Sequence, residues 1–89
     1  MSLNPNWKIE IREKAGKDAE KFPQKDKVRI LQVIEAISLN PFSGDIGKMR
    51  GEENVWRRRI GVYRIFYEIL PKDKVIYIFR IERRTSKTY

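Results

Sequence analysis

The first part of the chain contains two local sequence patterns. Apolar and charged residues alternate along WKIEIR, which is the period-two pattern of a half-buried strand, and we predict this strand over residues 6–12. Good helix formers then fill residues 13–21 apart from Gly16. Phe22-Pro23 closes that segment because the residue before a proline is pushed out of the helical region. The pattern therefore predicts a strand followed by a short helix.

A longer helix is predicted after Pro23, over residues 24–40. Its apolar residues recur at helical spacing and form a broad stripe of Val28, Ile30, Leu31, Val33, Ile34 and Ile37. Asn40-Pro41 ends the helix, and the turn residues of PFSGDIG predict a surface loop. We interpret the stripe mainly as core, although one helix layer on one sheet can leave part of it exposed.

The last part of the sequence predicts three strands, over residues 54–60, 62–70 and 74–82, with short connections that make them antiparallel neighbours. With the first strand completing the sheet, the expected fold class is α+β: helices packed on one face of a four-stranded sheet. One domain over residues 1–89 is expected. The other face of the sheet is left for water or a ligand.

Basic residues are concentrated near the end of the chain. The 89 residues have a formal net charge of +8. Residues 1–53 contain ten Lys and Arg against nine Asp and Glu, whereas residues 54–89 contain ten against three. This distribution favours a face that binds a polyanion or an acidic protein segment, because neutralising phosphates releases counterions. A surface that only improves solubility is the alternative interpretation.

The sequence contains no cysteine and no histidine. Disulfides, the usual zinc ligand sets and every His-based catalytic arrangement are thereby excluded, so no metal or cofactor is expected. No apolar run approaches the length of a membrane span, and MSLNPNWK lacks the apolar core of a signal peptide. We therefore expect a cytoplasmic protein without a membrane partner.

Three consecutive arginines interrupt the first strand of the predicted meander. Side chains alternate between the faces of a strand, so Arg57 and Arg59 share one face and Arg58 lies on the other. Further arginines follow on the next two strands: Arg64, Arg80, Arg83 and Arg84. Burying so many like charges is too costly, so we expect a patch on the face of the sheet without helices or at its rim. Guanidinium forks in such a patch can bind phosphate oxygens in pairs.

Three segments carry a family resemblance: KMRG at 48–51, WRRRIGVYRIFYEI at 56–69 and IERRTSKTY at 81–89. In these segments, and in the order of strand, helical hairpin and meander, the chain resembles the RelE branch of the RelE/ParE toxin superfamily. Members come from bacterial and archaeal toxin–antitoxin pairs. The resemblance implies a small basic ribonuclease that cuts messenger RNA in the ribosomal A site. Its implied partners are the ribosome, mRNA and a cognate acidic antitoxin.

The resemblance also implies a set of working residues. By position in the family's motifs, the catalytic residues fall on Arg57, Arg59, Arg64, Arg83 and Tyr89. Further basic residues expected to bind RNA are Lys48, Arg50, Arg58, Arg80, Arg84 and Lys87. The implied chemistry is attack of the substrate's own 2′-hydroxyl on the adjacent phosphorus, which leaves a cyclic phosphate and a free 5′-hydroxyl and requires RNA.

The general base of that reaction is open at this stage. Arg57 and Arg59 stand where the best-known family member has lysines, and arginine stays protonated and is a poor base. Tyr89 is one candidate for the acid or the base, if neighbouring arginines lower its pKa. The other candidates are the carboxylates Glu52, Glu53 and Glu82, provided that one lies at the arginine patch.

Two other functions fit parts of the pattern. A ParE-like toxin shares the fold but acts on DNA gyrase and generally lacks the basic residues and the terminal tyrosine. A catalytically inert module that binds RNA or the ribosome would need only the charge. Arg57, Arg64 and Arg83 together with Tyr89 favour the nuclease over both.

Overall fold

The computed structural model of the protein describes residues 7–84. Its elements, in chain order, are β1 (Lys8–Ile11), α1 (Glu13–Glu20), α2 (Gln24–Leu39), β2 (Ile46–Lys48), β3 (Val55–Ile60), β4 (Tyr63–Leu70) and β5 (Val75–Arg83). The predicted α+β class is confirmed, as is the order of strand, helical hairpin and meander. The predicted bounds differ from those observed by one or two residues at the element ends.

The sheet has five strands, in the order β1-β5-β4-β3-β2. The prediction of four strands was wrong because β2 begins inside the segment that was interpreted as a surface loop. β2 is only Ile46-Gly47-Lys48, too short for alternation to be visible, and its central glycine is typical of a turn. β1 pairs with β5 in parallel, while the other neighbours are antiparallel.

Isoleucines form most of the core between the helices and the sheet. Ile34 and Ile37 of α2 pack with Ile65 of β4 and with Ile76 and Ile78 of β5, and all five side chains are buried. Each such side chain contributes about 1.5 to 3 kcal/mol when removed from water. In the described part of the chain, neither helix is long and apolar enough to cross a membrane.

The apolar stripe of α2 is only partly core, as the single-layer architecture allows. Ile30, Ile34 and Ile37 are buried and Val33 is half-buried. Val28 and Leu31, in contrast, are 45% and 59% exposed. One edge of α2 thus faces solvent with apolar side chains.

Tyr67 ties the segment after α2 to the centre of the sheet. Its side chain is fully buried in β4, and its hydroxyl donates a hydrogen bond of 2.7 Å to the carbonyl oxygen of Pro41. Burial raises the pKa of the Tyr67 phenol to about 12, against a smaller lowering by the nearby charge of Arg58. The phenol is therefore stable as a buried donor and unfavourable as a buried anion.

Tyr67→Phe is expected to reduce the fall in the free energy of unfolding that occurs in alkaline solution. The folded-state pKa of about 12 lies above the ordinary value of 10.0. The stability contributed by the buried neutral phenol is therefore fully present below pH 10 and is lost as the pH rises toward 12. In the wild type the loss is about 1.3 kcal/mol between pH 9 and pH 11, and it approaches about 2 to 3 kcal/mol above pH 12. Urea unfolding at about pH 9 and about pH 11 measures it. Equal falls in the free energy of unfolding for both proteins would contradict the assignment.

Candidate functional site

Two rows of side chains cross the face of the sheet that has no helices, which we call the open face. Residues directly opposite each other on neighbouring strands lie on the same face. One row consists of Arg59, Arg64 and Glu82, and the next consists of Arg57, Phe66 and Arg80. Rows two residues apart are separated by about 6.6 to 6.8 Å along the strands. The three arginines predicted for β3 and β4 are thus brought together, as the alternation predicted.

Arg64 is the centre of this positive cluster. Burial lowers the pKa of its guanidinium, and the positive charges of Arg84 and Arg57 lower it further. Arg59 acts in the same direction, while Glu82 opposes the shift. The guanidinium nevertheless stays protonated near neutral pH. A half-buried cation whose neighbours are mainly cations is an environment that a bound anion would stabilise.

Hydrogen-bond donors in the cluster lack partners. The Nε atoms of Arg57 and Arg64 are buried, and neither has a hydrogen-bond partner within the part of the chain that the structure describes. A buried donor without an acceptor is unfavourable, because it has lost its hydrogen bonds to water. Phosphate oxygens are strong acceptors for guanidinium groups, so the cluster is suited to a phosphate ligand.

A glycine in β2 makes room for Arg57. Gly47 lies directly opposite Arg57, and a Cβ atom at Gly47 would stand only 2.8 Å from Nη2 of that arginine. The guanidinium therefore lies across the glycine and toward the edge of the sheet. A larger residue at position 47 would displace the end of the Arg57 side chain from this position.

Carboxylates stand at both ends of the Arg59–Arg64–Glu82 row. Nε of Arg59 donates a hydrogen bond of 3.2 Å to Oδ2 of Asp45, and Nη2 of Arg80 lies 3.0 Å from Oε1 of Glu82. The Arg59 and Arg80 side chains are at least half exposed. Exposed pairs contribute only about 0 to 1 kcal/mol, so both arginines can exchange these partners for phosphate.

A groove lies beside the cluster on the same face. Its volume is about 420 Å³, and it includes the rings of Phe66 and Phe79, whose centroids are 6.3 Å apart. The guanidinium of Arg80 lies over the Phe66 ring at 5.4 Å. The other lining residues are Met49, Arg50, Glu52, Val55 and Glu68. Aromatic rings and a guanidinium plane are surfaces on which nucleobases stack.

Other predicted site residues lie away from the cluster. Nη1 of Arg58 donates a hydrogen bond of 3.1 Å to the carbonyl oxygen of Ser43, so this arginine holds the segment before β2. Lys48 is paired with Trp56, which packs against the core on the helix-covered side. Arg83 is opposite Tyr63 and lies over its ring at 6.0 Å, also on the helix-covered face.

Tyr63 connects that side of β5 to α2. Its hydroxyl donates a hydrogen bond of 2.6 Å to Oδ2 of Asp26, and its ring lies 4.7 Å from that of Phe22. Burial raises the pKa of Tyr63, and the hydrogen bond with Asp26 and that residue's charge raise it further, while Arg83 lowers it. Tyr63, the aromatic residue of the GVYR segment at 61–64, therefore packs against the helices and is not part of the open face.

The remaining candidates differ in position. Tyr89 and Lys87 lie outside the described residues. Glu52 is at the groove, Glu53 is exposed in the connection before β3, and Glu82 is in the row with Arg64. Within residues 7–84, no three His, Cys, Asp or Glu side chains come together as a metal site.

Sequence reasoning missed Asp45 and Gly47. Both belong to the segment interpreted as a loop, and both matter only through the pairing of β2 with β3. Besides the bond to its carboxylate, Asp45 accepts a 2.9 Å hydrogen bond at its carbonyl oxygen from the Arg59 amide. No signal in the sequence alone identifies that register.

Comparison with known proteins identifies the family. The family profile described as "ParE toxin of type II toxin-antitoxin system, parDE" matches residues 9–87. A curated protein of Methanocaldococcus jannaschii, named "Putative toxin RelE1", is 32% identical over 81 residues, which cover 88% of this chain and 90% of the relative. The chain belongs to the RelE/ParE superfamily and is a toxin of a toxin–antitoxin system.

Solved structures show the same fold. A chain in the RelE–RelB complex of Pyrococcus horikoshii superposes with a TM-score of 0.79 at 25% identity, over 92% of this chain and 99% of that one. A chain in the toxin–antitoxin complex RelBE2 of Mycobacterium tuberculosis gives a TM-score of 0.80 at 21% identity, over 89% and 92%. The predicted RelE-like fold is confirmed.

Proposed function

We propose that this toxin is a RelE-like endoribonuclease that cuts messenger RNA in the A site of translating ribosomes. The observation that carries the proposal is the cluster around Arg64, in which four arginines converge and two buried donors lack acceptors. The attacking group is the substrate's own 2′-hydroxyl, so the protein has to supply positive charge, a base and an acid. No metal or cofactor is required for such a step.

The cluster acts on the charge that develops during the reaction. As the 2′-oxygen attacks, negative charge increases on the nonbridging oxygens of the phosphorane, and preorganised guanidinium donors stabilise it. In the proposed complex, Arg64 binds the scissile phosphate and Arg57 and Arg59 contact it from β3. The groove with Phe66 and Phe79 accepts a neighbouring base. The ribosome contributes rate by holding the message in an attacking geometry.

The acid that protonates the leaving 5′-oxygen is proposed to be Tyr89, on the resemblance alone. The resemblance likewise assigns Arg83 a catalytic role, although its side chain lies over Tyr63 and not with Arg64. Lys48 and Arg58 are kept as RNA contacts outside the cluster, Arg84 as a contact within it, and Arg50 and Arg80 as contacts beside it. Lys87 is kept as an RNA contact on the resemblance alone.

A cognate antitoxin is the proposed protein partner. Relatives with this fold were solved as complexes with RelB antitoxins. For this chain, the net charge of +8 favours a partner with acidic segments that cover the open face or the exposed edge of α2. The toxin and its targets would meet in the cytoplasm.

Gyrase is the alternative target, because the matching family profile is described for ParE toxins. Expression of the toxin alone in a bacterial host separates the two. The nuclease is expected to arrest growth and to produce new mRNA ends within codons, mapped by primer extension, and co-expressed acidic antitoxin is expected to restore growth. Intact messages with gyrase-linked DNA breaks would contradict the proposal, and ribosome binding without either lesion would indicate an inert module.

A further inference from the structure

We infer that Glu82 is the general base that takes the proton from the attacking 2′-hydroxyl. This assignment rests on the proposed function, since it concerns the same site. It addresses a requirement that the arginines cannot meet, because a guanidinium stays protonated in proteins and has no acceptor atom. Glu82 is a carboxylate that the fold brings directly into the arginine row.

The register of the sheet fixes this position. Glu82 of β5 is directly opposite Arg64 of β4, which is directly opposite Arg59 of β3. The carboxylate is near enough to Arg64 to oppose the lowering of its pKa. A phosphate bound by Arg64 would therefore have a proton acceptor beside it on the next strand, at one end of the row.

A β-bulge places Glu82 on this face. Phe66 is opposite Arg80 and Tyr67 is opposite Ile78, so Phe79 is an extra residue in β5. The extra residue reverses the alternation, which puts Ile81 in the core and Glu82 on the open face. Without the bulge, Glu82 would be directed at the helices.

The carboxylate is held in place and still accessible. Its side chain is 27% exposed, and in the described residues its one ion-pair partner is Arg80, at 3.0 Å. A carboxylate has about four lone-pair sites, so this pair leaves acceptors available for a hydroxyl. Arg80 is itself held against the Phe66 ring.

A pocket borders Glu82 on the side of α1. Its volume is about 270 Å³, and it is lined by Lys14 and Asp18 of α1, by Lys21 and Phe22 after that helix, and by Arg80, Ile81, Glu82 and Arg83 of β5. The charged groups of this pocket are Lys14, Asp18, Lys21, Arg80 and Arg83, and Arg64 lies opposite Glu82 on the neighbouring strand. Cations predominate among them, so Glu82 is a proton acceptor in surroundings that also attract the RNA backbone.

Other carboxylates are less well placed. Asp45 ends the row on the opposite side, but its side chain is 59% exposed and its Oδ2 is bonded to Arg59. Glu52 lines the groove beside the Phe66 row, and Glu68 lies one row further along, opposite Val55. Among the carboxylates of residues 7–84, Glu82 is the one directly opposite Arg64.

The step balances without a co-reactant. The 2′-hydroxyl proton passes to Glu82 as the 2′-oxygen forms its bond to phosphorus, and the bond from phosphorus to the 5′-oxygen breaks. The leaving oxygen takes a proton from an acid, either water or the tyrosine that the resemblance implies, Tyr89. Glu82 then releases its proton to solvent and the acid regains one from solvent, and the products are a 2′,3′-cyclic phosphate and a 5′-hydroxyl.

Glu82→Gln tests the assignment, with Glu10→Gln as the matched control. Glutamine keeps the size and an acceptor for Arg80 but cannot take the proton. Glu10 lies on the same face of the sheet, opposite Tyr77, and is also ion-paired, to Lys8 at 3.5 Å, so both variants change the net charge equally. Single-turnover cleavage of A-site mRNA by purified full-length toxin is measured from acidic to neutral pH, with affinity for the programmed ribosome measured separately.

Glu82→Gln is expected to slow cleavage in the bound complex by about 10²-fold or more. It should also abolish the fall in cleavage rate toward acidic pH. Ribosome affinity should be unchanged or higher, and Glu10→Gln should cut like the wild type. If Glu82→Gln cuts as fast as the wild type, the base assignment is overturned while the proposed function stands. The same holds if Glu82→Gln cuts slowly but its rate still falls toward acidic pH, because Glu82 would then only position Arg80. If Asp45→Asn abolishes cutting instead, the base is Asp45, at the other end of the Arg59–Arg64–Glu82 row. No cutting by the wild type would overturn the proposed function together with it.

Discussion

Arg64→Ala is expected to slow single-turnover cleavage of A-site mRNA by about 10²- to 10³-fold, the usual cost of removing one preorganised donor to a developing oxyanion. Arg64 is the half-buried centre of the cluster, flanked by Arg57, Arg59 and Arg84. Its side chain is already half-buried among the other arginines before substrate binds, so little reorganisation is needed in the transition state. Affinity for the ribosome should fall much less, because many other cations remain.

Arg29→Ala is the matched control for that variant. Arg29 is exposed on α2, where its guanidinium lies near Gly61, so the substitution removes the same charge outside the cluster. Both variants should unfold at temperatures close to that of the wild type. Rapid cutting by Arg64→Ala, or an equal loss in Arg29→Ala, would show that general basicity and not the cluster supports the reaction.

Hydrophobic periodicity predicted most of the fold. The alternation in β1, β4 and β5 and the 3.6-residue spacing in α2 are strong because each element buries one face against the same core. β2 could not be predicted in this way. Its three residues include a glycine, and its existence depends on pairing with β3, a contact between segments that no local pattern reports.

The site was predictable to the extent that it follows from alternation within single strands. Arg57 and Arg59 share the open face, as period two requires, and the register of β3 with β4 adds Arg64 to them. Arg83 does not join them, because the bulge at Phe79 reverses the faces of β5 beyond it. The sequence contains a trace of this reversal: the buried isoleucines at 76 and 78 are followed by one at 81, where strict alternation would place it at 80.

The same reversal decides which carboxylate meets the arginines. From the sequence, Glu52, Glu53 and Glu82 were equivalent candidates. The register places Glu82 opposite Arg64, while Glu52 borders the groove and Glu53 is exposed before β3. Such a distinction depends on one residue of strand offset, and a one-residue slip would move every side chain of β5 to the other face.

Cleavage of a message with a single 2′-deoxynucleotide tests the central claim most directly. The substitution is placed on the 5′ side of the mapped cut, in a ribosome complex that is otherwise identical to the all-RNA control. The 2′-hydroxyl is the proposed nucleophile, so the deoxy message should remain uncut at that position, whereas the control should yield a cyclic phosphate and a 5′-hydroxyl. Cutting of the deoxy message at the same bond, or products with a 5′-phosphate, would contradict the proposed reaction.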